Sequence, residues 1–250
     1  MSAAPRTYLG ELAKLDRLET FDPAAFTASD KATQDVAEFV LVLALAFNDL
    51  KDLLLAESLL LTQKPSDLQT PTPALGMFSG AHYHFYRLLL AHLYELLYLV
   101  QQNATIRATP PFLKLEKQLT RGARESWGKL VAAAEEKNAE DSDIRFLLLA
   151  RNKVAFHYDR KVIGRAFRAA FDSSGARLPY LSRGRSVASA RFYFADAAAQ
   201  TYLQQQFGEI ELEQFFLRRW DLLTNIGHAL HALVTTFVNS RGFAWRETAV

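Results

Sequence analysis

Phe39-Val40-Leu41-Val42-Leu43-Ala44-Leu45-Ala46-Phe47 is an unbroken apolar run, closed by Asn48 and Asp49. It is too short to cross a bilayer, which takes about 20 apolar residues in a helix. The run lies inside a proline-free segment from about Asp30 to Gln63 that is apolar on most faces between Phe39 and Leu61. A helix apolar around most of its circumference is buried by its neighbours. The segment is therefore expected to be the central helix of a helical protein. Thr27 and Ser29 are its candidate N-caps, residues whose side-chain oxygens accept from the free amides of a first turn.

Outward from this helix, Lys64-Pro65 to Pro73 carries three prolines and is expected to be a linker loop. A second helix is expected from about Met77 to Gln102. Its apolar run from Leu88 to Val100 is interrupted by His92 and Glu95, which again fits a buried helix rather than a membrane span. Thr109-Pro110 opens a third helix running to about Lys137, with threonine as cap and proline in the first turn. Asn138 to Ser142 is an acidic, polar loop. A fourth helix starts near Asp143 and carries Ile144, Phe146, Leu147, Leu148 and Leu149 into residue 151.

A short helix follows from Lys161 to Phe171, then a loop at 173–189 rich in Ser, Gly and Arg, with a small hairpin around Arg183-Gly184-Arg185 as one reading. A helix from about Ala195 to Phe207 is expected to stop at Gly208, glycine being the usual left-handed residue after a helix end. The last long helix runs from about Glu211 to Asn239 and stops near Gly242. Residues 1–28 are an irregular lead-in broken by Asp22-Pro23, and 243–250 a loose tail. The expectation is one domain over 1–250: an all-α, up-and-down bundle of four long helices plus shorter inserted ones.

Half of the 250 residues are hydrophobic, enough for a sizeable core without staples. There is no cysteine, which excludes disulfides, thiolate metal sites and a cysteine nucleophile and fits a reducing cytoplasm. Met1-Ser2-Ala3-Ala4-Pro5-Arg6 lacks the apolar core of a signal peptide. A soluble cytoplasmic protein is expected, with no membrane partner.

The net charge of +2 hides an asymmetry. Between Arg151 and Arg191, ten basic residues face only Asp159 and Asp172, a net of +8, leaving −6 on the remainder. A basic segment on a mildly acidic body points to an anionic partner, nucleic acid first; the alternative is a solvated arginine-rich surface. Lys153, Arg160, Lys161, Arg165, Arg183 and Arg185 are the candidate RNA-backbone contacts.

At the head of that segment stands Arg151-Asn152-Lys153-Val154-Ala155-Phe156-His157-Tyr158-Asp159. Cleavage of an RNA phosphodiester by its own 2′-hydroxyl needs a base for the hydroxyl proton, an acid for the leaving 5′-oxygen and a cation for the developing negative charge. Histidine suits the proton steps because its ordinary pKa lies near neutrality. Arginine suits the phosphate as a permanently charged, two-pronged donor. Asparagine can hydrogen-bond a phosphate oxygen or orient the other two. No metal or other cofactor is called for. In an ideal helix, however, six steps separate Arg151 and His157 by about 120° around the axis. A shared site then requires a helix that kinks or ends between them, an arginine that reaches around, or two copies of the motif meeting across a two-fold axis.

Arg151-Asn152, four residues and then His157 resembles the Arg-polar-x(3–5)-His motif of the HEPN superfamily of helical-bundle proteins. The phrase Arg-Asn-Lys-x-Ala-Phe-His-Tyr is similar to bacterial members of that group. The resemblance covers one nine-residue motif and the all-helical layout. It implies a homodimeric, metal-independent endoribonuclease of a toxin–antitoxin or phage-defence system, with Arg151, Asn152 and His157 as catalytic residues and a cognate antitoxin as a partner. Some members are silenced by modification of a tyrosine two positions after the histidine; here Tyr158 follows His157 directly, a departure that puts such regulation in doubt. Some members only bind nucleic acid or protein partners, which is the alternative function.

The structural alternative for the motif is a helix end. There His157 would be favoured by the helix dipole, and Arg151 would pair with an acid on a neighbouring helix. Asn48 and Asp52, four apart on the first helix, are accessory candidates for the same cleft, against the plainer reading of a polar stripe. Tyr158 is a further accessory candidate. His82, His84, His92 and Glu95 on the second helix and His228 and His231 on the last are read as core packing rather than a metal site.

Overall fold

The computed structural model describes residues 18–67, 70, 72–135, 147, 151–155, 159–171, 179–181, 190–242 and 246–248; at 18–19, 154, 207–222 and 246–248 it describes the backbone alone. The fold is all-α, with one short β-ladder at its ends. In chain order the elements are β1 (Leu18–Thr20), a 3₁₀ turn (Pro23–Phe26), α1 (Lys31–Leu61), α2 (Pro73–Gln102), α3 (Ala104–Arg107), α4 (Pro110–Gln118), α5 (Arg121–Glu135), a π-helical turn (Arg151–Ala155), α6 (Arg160–Ala170), α7 (Tyr193–Ser240) and β2 (Arg246–Thr248). The chain divides into two compact units. The first holds Asp52–Tyr94 and the described residues of Glu140–Phe216. The second holds the described residues of Glu11–Lys51, Glu95–Ala139 and Leu217–Val250. α1, α2 and α7 each contribute a length to both.

In the second unit, α1 presents Val36, Val40, Leu43 and Leu50, each 2% exposed or less, at helical spacing. Phe39 packs on Phe112 of α4 (ring centroids 5.9 Å apart), and Phe112 on Trp127 of α5 (5.7 Å). Ser126 is buried, and its hydroxyl lies 3.1 Å from Asn225 Oδ1 of α7, which satisfies it. The central-helix expectation for α1 holds for one face only. Leu41, Val42 and Leu45 are 44–60% exposed, so the apolar run outnumbers the neighbours that cover it.

Five local expectations are corrected. The N-cap of α1 is Asp30, not Thr27 or Ser29: its carboxylate accepts from the Thr33 amide at 2.8 Å, which holds its pKa below the usual carboxylate value. Thr27 instead donates to the Ala24 carbonyl. α2 starts at Pro73, earlier than Met77, because Thr72 accepts from the Leu75 amide and proline fits a first turn. The single helix expected over 110–137 is two. Leu119 is extended, and the Arg124 guanidinium reaches back to the carbonyls of Glu116, Lys117 and Leu119, supplying donors that the end of α4 lacks. Thr109 occupies the N-cap position of α4, but its hydroxyl donates to Ile106.

The fifth correction is Gly208, which does not end a helix. α7 runs unbroken through it for 48 residues. One glycine inside a helix costs only about 1 kcal/mol relative to alanine, and a cooperative helix carries that cost. The left-handed glycine is Gly242, at φ +77°, where α7 stops.

Within the lead-in and tail, the described residues 18–28 and 246–248 are more regular than expected. Leu18–Thr20 and Arg246–Thr248 form an antiparallel pair, Leu18 opposite Thr248 and Thr20 opposite Arg246. Asp22 caps the 3₁₀ turn by accepting from the Ala24 amide, and Phe26 packs on Phe237 (5.1 Å). Arg241, just past α7, donates to the carbonyls of Ala25 (3.3 Å) and Thr27 (2.7 Å).

In the first unit, α2 supplies the buried Tyr86, Leu89, Leu90 and Leu93, and α7 the buried Ala197, Ala198, Ala199, Tyr202 and Leu203. The run of alanines leaves room for a helix to approach closely. Of the helix expected from about Asp143 into the motif, Leu147 is helical and 1% exposed; the remainder of 136–150 lies outside the described residues.

Candidate functional site

Arg151 to Ala155 form a π-helical turn, one residue wider per turn than an α-helix. Such turns occur mostly as single insertions, frequently at functional sites. By Asp159 the backbone is extended (φ −76°, ψ 102°) and α6 begins at the next residue. The helical turn that carries Arg151 has therefore ended by Asp159, two residues after His157. Phe156, His157 and Tyr158 lie between the two and outside the described residues, as do Arg183 and Arg185.

Arg151 is half-buried. Its guanidinium lies 5.8 Å from the centre of the Tyr94 ring and donates to Asn152 Oδ1 at 2.9 Å. The cation–π contact and the hydrogen bond fix the planar fork beside the amide. Asn152 keeps its NH₂ group as a donor. Lys153 turns to Asp159, with its ammonium 2.8 Å from Oδ2. The other carboxylate oxygen of Asp159 accepts from the Lys161 and Val162 amides, which caps α6. This hydrogen-bonded lysine, then the Val162 amide, hold the Asp159 carboxyl down at about 2. The same partner pushes the Lys153 ammonium up. Arg165 lies close enough to both Lys153 and the buried Tyr202 to act on them electrostatically; burial raises the Tyr202 phenol. Arg160, Lys161 and Arg165 are exposed.

A test follows for the cap. Because the folded pKa of Asp159 lies below its usual 3.8, its contribution is fully present above that value. It is lost as the pH falls toward about 2. Asp159→Asn is expected to flatten the fall in urea midpoint from just above pH 3.8 down to about pH 2. An unchanged slope would remove this carboxylate from acid stability.

A second cluster lies on α2 and α7. Asp196 takes Arg191 through two hydrogen bonds (2.8 and 3.2 Å), and Arg87 approaches the same carboxylate at 4.0 Å. Arg191 reaches it by crossing α2 at Gly80, where an added Cβ would stand 1.8 Å from Arg191 Nε. Gly80→Ala gains about 1 kcal/mol of helix propensity. It also displaces a charge-assisted pair of the kind that contributes about 1.5–3 kcal/mol, so a net loss is expected. Gly128→Ala meets nothing within 4 Å and should gain the propensity alone. Opposite shifts in urea midpoint check the pair; a gain in both would mean that Arg191 relocates without loss.

The remaining candidates sit elsewhere. Asn48 and Asp52 are exposed on α1, and Asn48 belongs to the second unit. His82 lies 3.7 Å from Glu57, and burial lowers the histidine and raises the glutamate, each against its charged form. His231 packs on Phe47. Among the described residues no three His, Asp or Glu side chains converge as metal ligands, and no helix is long and apolar enough to cross a membrane.

Sequence reasoning passed over Asp159 as cap and partner, the Tyr94 ring under Arg151, and the Arg87–Asp196–Arg191 cluster. The first had a signal, an aspartate just before Arg160-Lys161; the others join residues far apart in the chain. No protein-family model, curated protein or solved structure matches this chain.

Proposed function

We propose that this chain is a HEPN-like, metal-independent endoribonuclease. The observation that supports the reading is the π-helical turn, in which the Arg151 fork donates to Asn152, followed by extended backbone at Asp159, two residues after His157. In the proposed reaction His157 moves the proton, as base toward the 2′-hydroxyl or as acid toward the leaving 5′-oxygen. Arg151 neutralises charge on the equatorial phosphate oxygens, and the Asn152 NH₂ group orients the phosphate. The reaction is a transesterification: the 2′-oxygen bonds to phosphorus as the bond to the 5′-oxygen breaks, leaving a cyclic phosphate and a 5′-hydroxyl. Arg160, Lys161 and Arg165, with Arg183 and Arg185, would track the RNA backbone by charge.

A homodimer belongs to the same proposal, since a two-fold axis would double the motif and provide one histidine as base and one as acid. So do a cytoplasmic role in defence and a cognate antitoxin. The test is cleavage of single-stranded RNA by the purified full chain in excess chelator. Cleavage that survives chelation and leaves cyclic phosphate ends supports the reading; intact RNA that is nevertheless bound would replace it with a non-catalytic RNA-binding module.

A further inference from the structure

In the first unit, a pocket of about 620 Å³ opens between α6 and the first turns of α7. It lies within the roughly 300–1,000 Å³ range of small-molecule sites. α6 lines it with Arg160, Ile163, Gly164, Phe167 and Arg168, positions i, i+3, i+4, i+7 and i+8, which form one helical face. α6's opposite side is buried through Val162 and Ala166. α7 supplies Phe194 and a floor of Ala195, Ala198 and Ala199, and α2 supplies Arg87.

The wall has two chemistries. Arg160, Arg168 and Arg87 face a single lining acid, Asp196, which is already shared with Arg191. The cationic excess is therefore local to the pocket and suits a phosphate, which arginine grips with its two-pronged donor. Beside the arginines, the Phe167 and Phe194 rings stand nearly perpendicular (88°, centroids 6.1 Å apart), with Phe167 37% exposed. Perpendicular rings offer one face for stacking and one edge to close a slot. Inorganic phosphate would leave the apolar floor and rings uncovered. An apolar ligand would leave Arg160 and Arg168 unanswered.

We propose that this pocket binds a nucleoside phosphate unit, its base against Phe167 and Phe194 and its phosphate on Arg160 and Arg168. The unit could arrive as a free mononucleotide or as one residue of an RNA strand, since both present the same groups. The site does not need Arg151 or His157 to be catalytic, so it goes beyond the ribonuclease reading.

The experiment is calorimetric titration of the full chain at low salt with AMP, adenosine, ribose 5-phosphate and a six-nucleotide RNA. AMP or the RNA is expected to bind more tightly than adenosine or ribose 5-phosphate; binding of AMP identifies the free nucleotide as sufficient, and binding of the RNA alone identifies the strand. Phe167→Ala is expected to weaken the binding ligand roughly tenfold while sparing ribose 5-phosphate. Arg168→Ala is expected to weaken it by a similar factor while sparing adenosine. Both side chains are exposed, so the fold should survive, and circular dichroism verifies it. Gly164→Leu keeps every charge and fills the slot: a Cβ there meets only the Arg168 side chain, at 3.9 Å. It should block binding. Absence of binding by both AMP and the RNA, or affinities unmoved by all three variants, overturns the proposal. Binding without RNA cleavage retains this site and removes the endoribonuclease; cleavage without any effect of these variants does the reverse.

Discussion

His157→Ala is expected to lower RNA cleavage by about 10²–10⁴-fold, the range for a lost general acid or base, with RNA binding nearly unchanged. The imidazole carries the proton step, whereas the phosphate is held by cations that the substitution leaves in place. Arg151→Lys is the companion. Lysine keeps the charge but loses the planar fork, the position over Tyr94 and the bond to Asn152. A drop of about 10²-fold in turnover with retained binding is expected. Cleavage of one RNA substrate in chelator, with affinity measured in parallel, reads both. Parental activity in His157→Ala would remove the histidine from the mechanism. Equal loss of binding and cleavage in Arg151→Lys would make Arg151 a docking residue instead.

Trp127→Ala is expected to cost about 3–5 kcal/mol of stability. Trp127 is 1% exposed, packs on Phe112 and lies a turn from Leu130, itself fully buried. Phe112 also touches Phe39, so the cavity would open where α1, α4 and α5 meet in the second unit. Domains of this kind have total stabilities of about 5–15 kcal/mol, which makes the loss a large fraction. Arg121→Ala on the same helix is the control. Arg121 is 94% exposed and pairs with Glu125 across one turn, and such a pair contributes less than about 1 kcal/mol. Urea denaturation followed by circular dichroism reads both, since the signal does not depend on the tryptophan. Equal midpoints for the two variants would place Trp127 outside the core.

How far the fold was legible depended on where each determinant lies. α1 was found within two residues at either end, because its apolar run and the Lys64-Pro65 stop are local. The break between α4 and α5 was missed because the break itself, Leu119-Thr120, holds neither glycine nor proline; Arg124 folding back on three carbonyls secures it. Gly208 misled for the opposite reason, a local stop signal overridden by the helix on both sides. In the site, Arg151 and Asn152 were picked out by residue type. The pocket escapes a reading of 161–171 as a short helix in a basic segment, because it takes the partner helix to show that Arg160 and Arg168 share one face with Ile163 and Phe167. Arg87, Asp196 and Gly80 could not be joined from sequence at all.

The β1–β2 ladder has a mechanical consequence. Leu18 is opposite Thr248, so the chain enters and leaves the ladder at the same end. A pull through those two strands would load the pairs one after another, Leu18–Thr248 first and Thr20–Arg246 last, as in opening a zipper. Each rung fails alone under small force. The load would then pass to the 3₁₀ turn and the Arg241 contacts with Ala25 and Thr27 before reaching any α-helix.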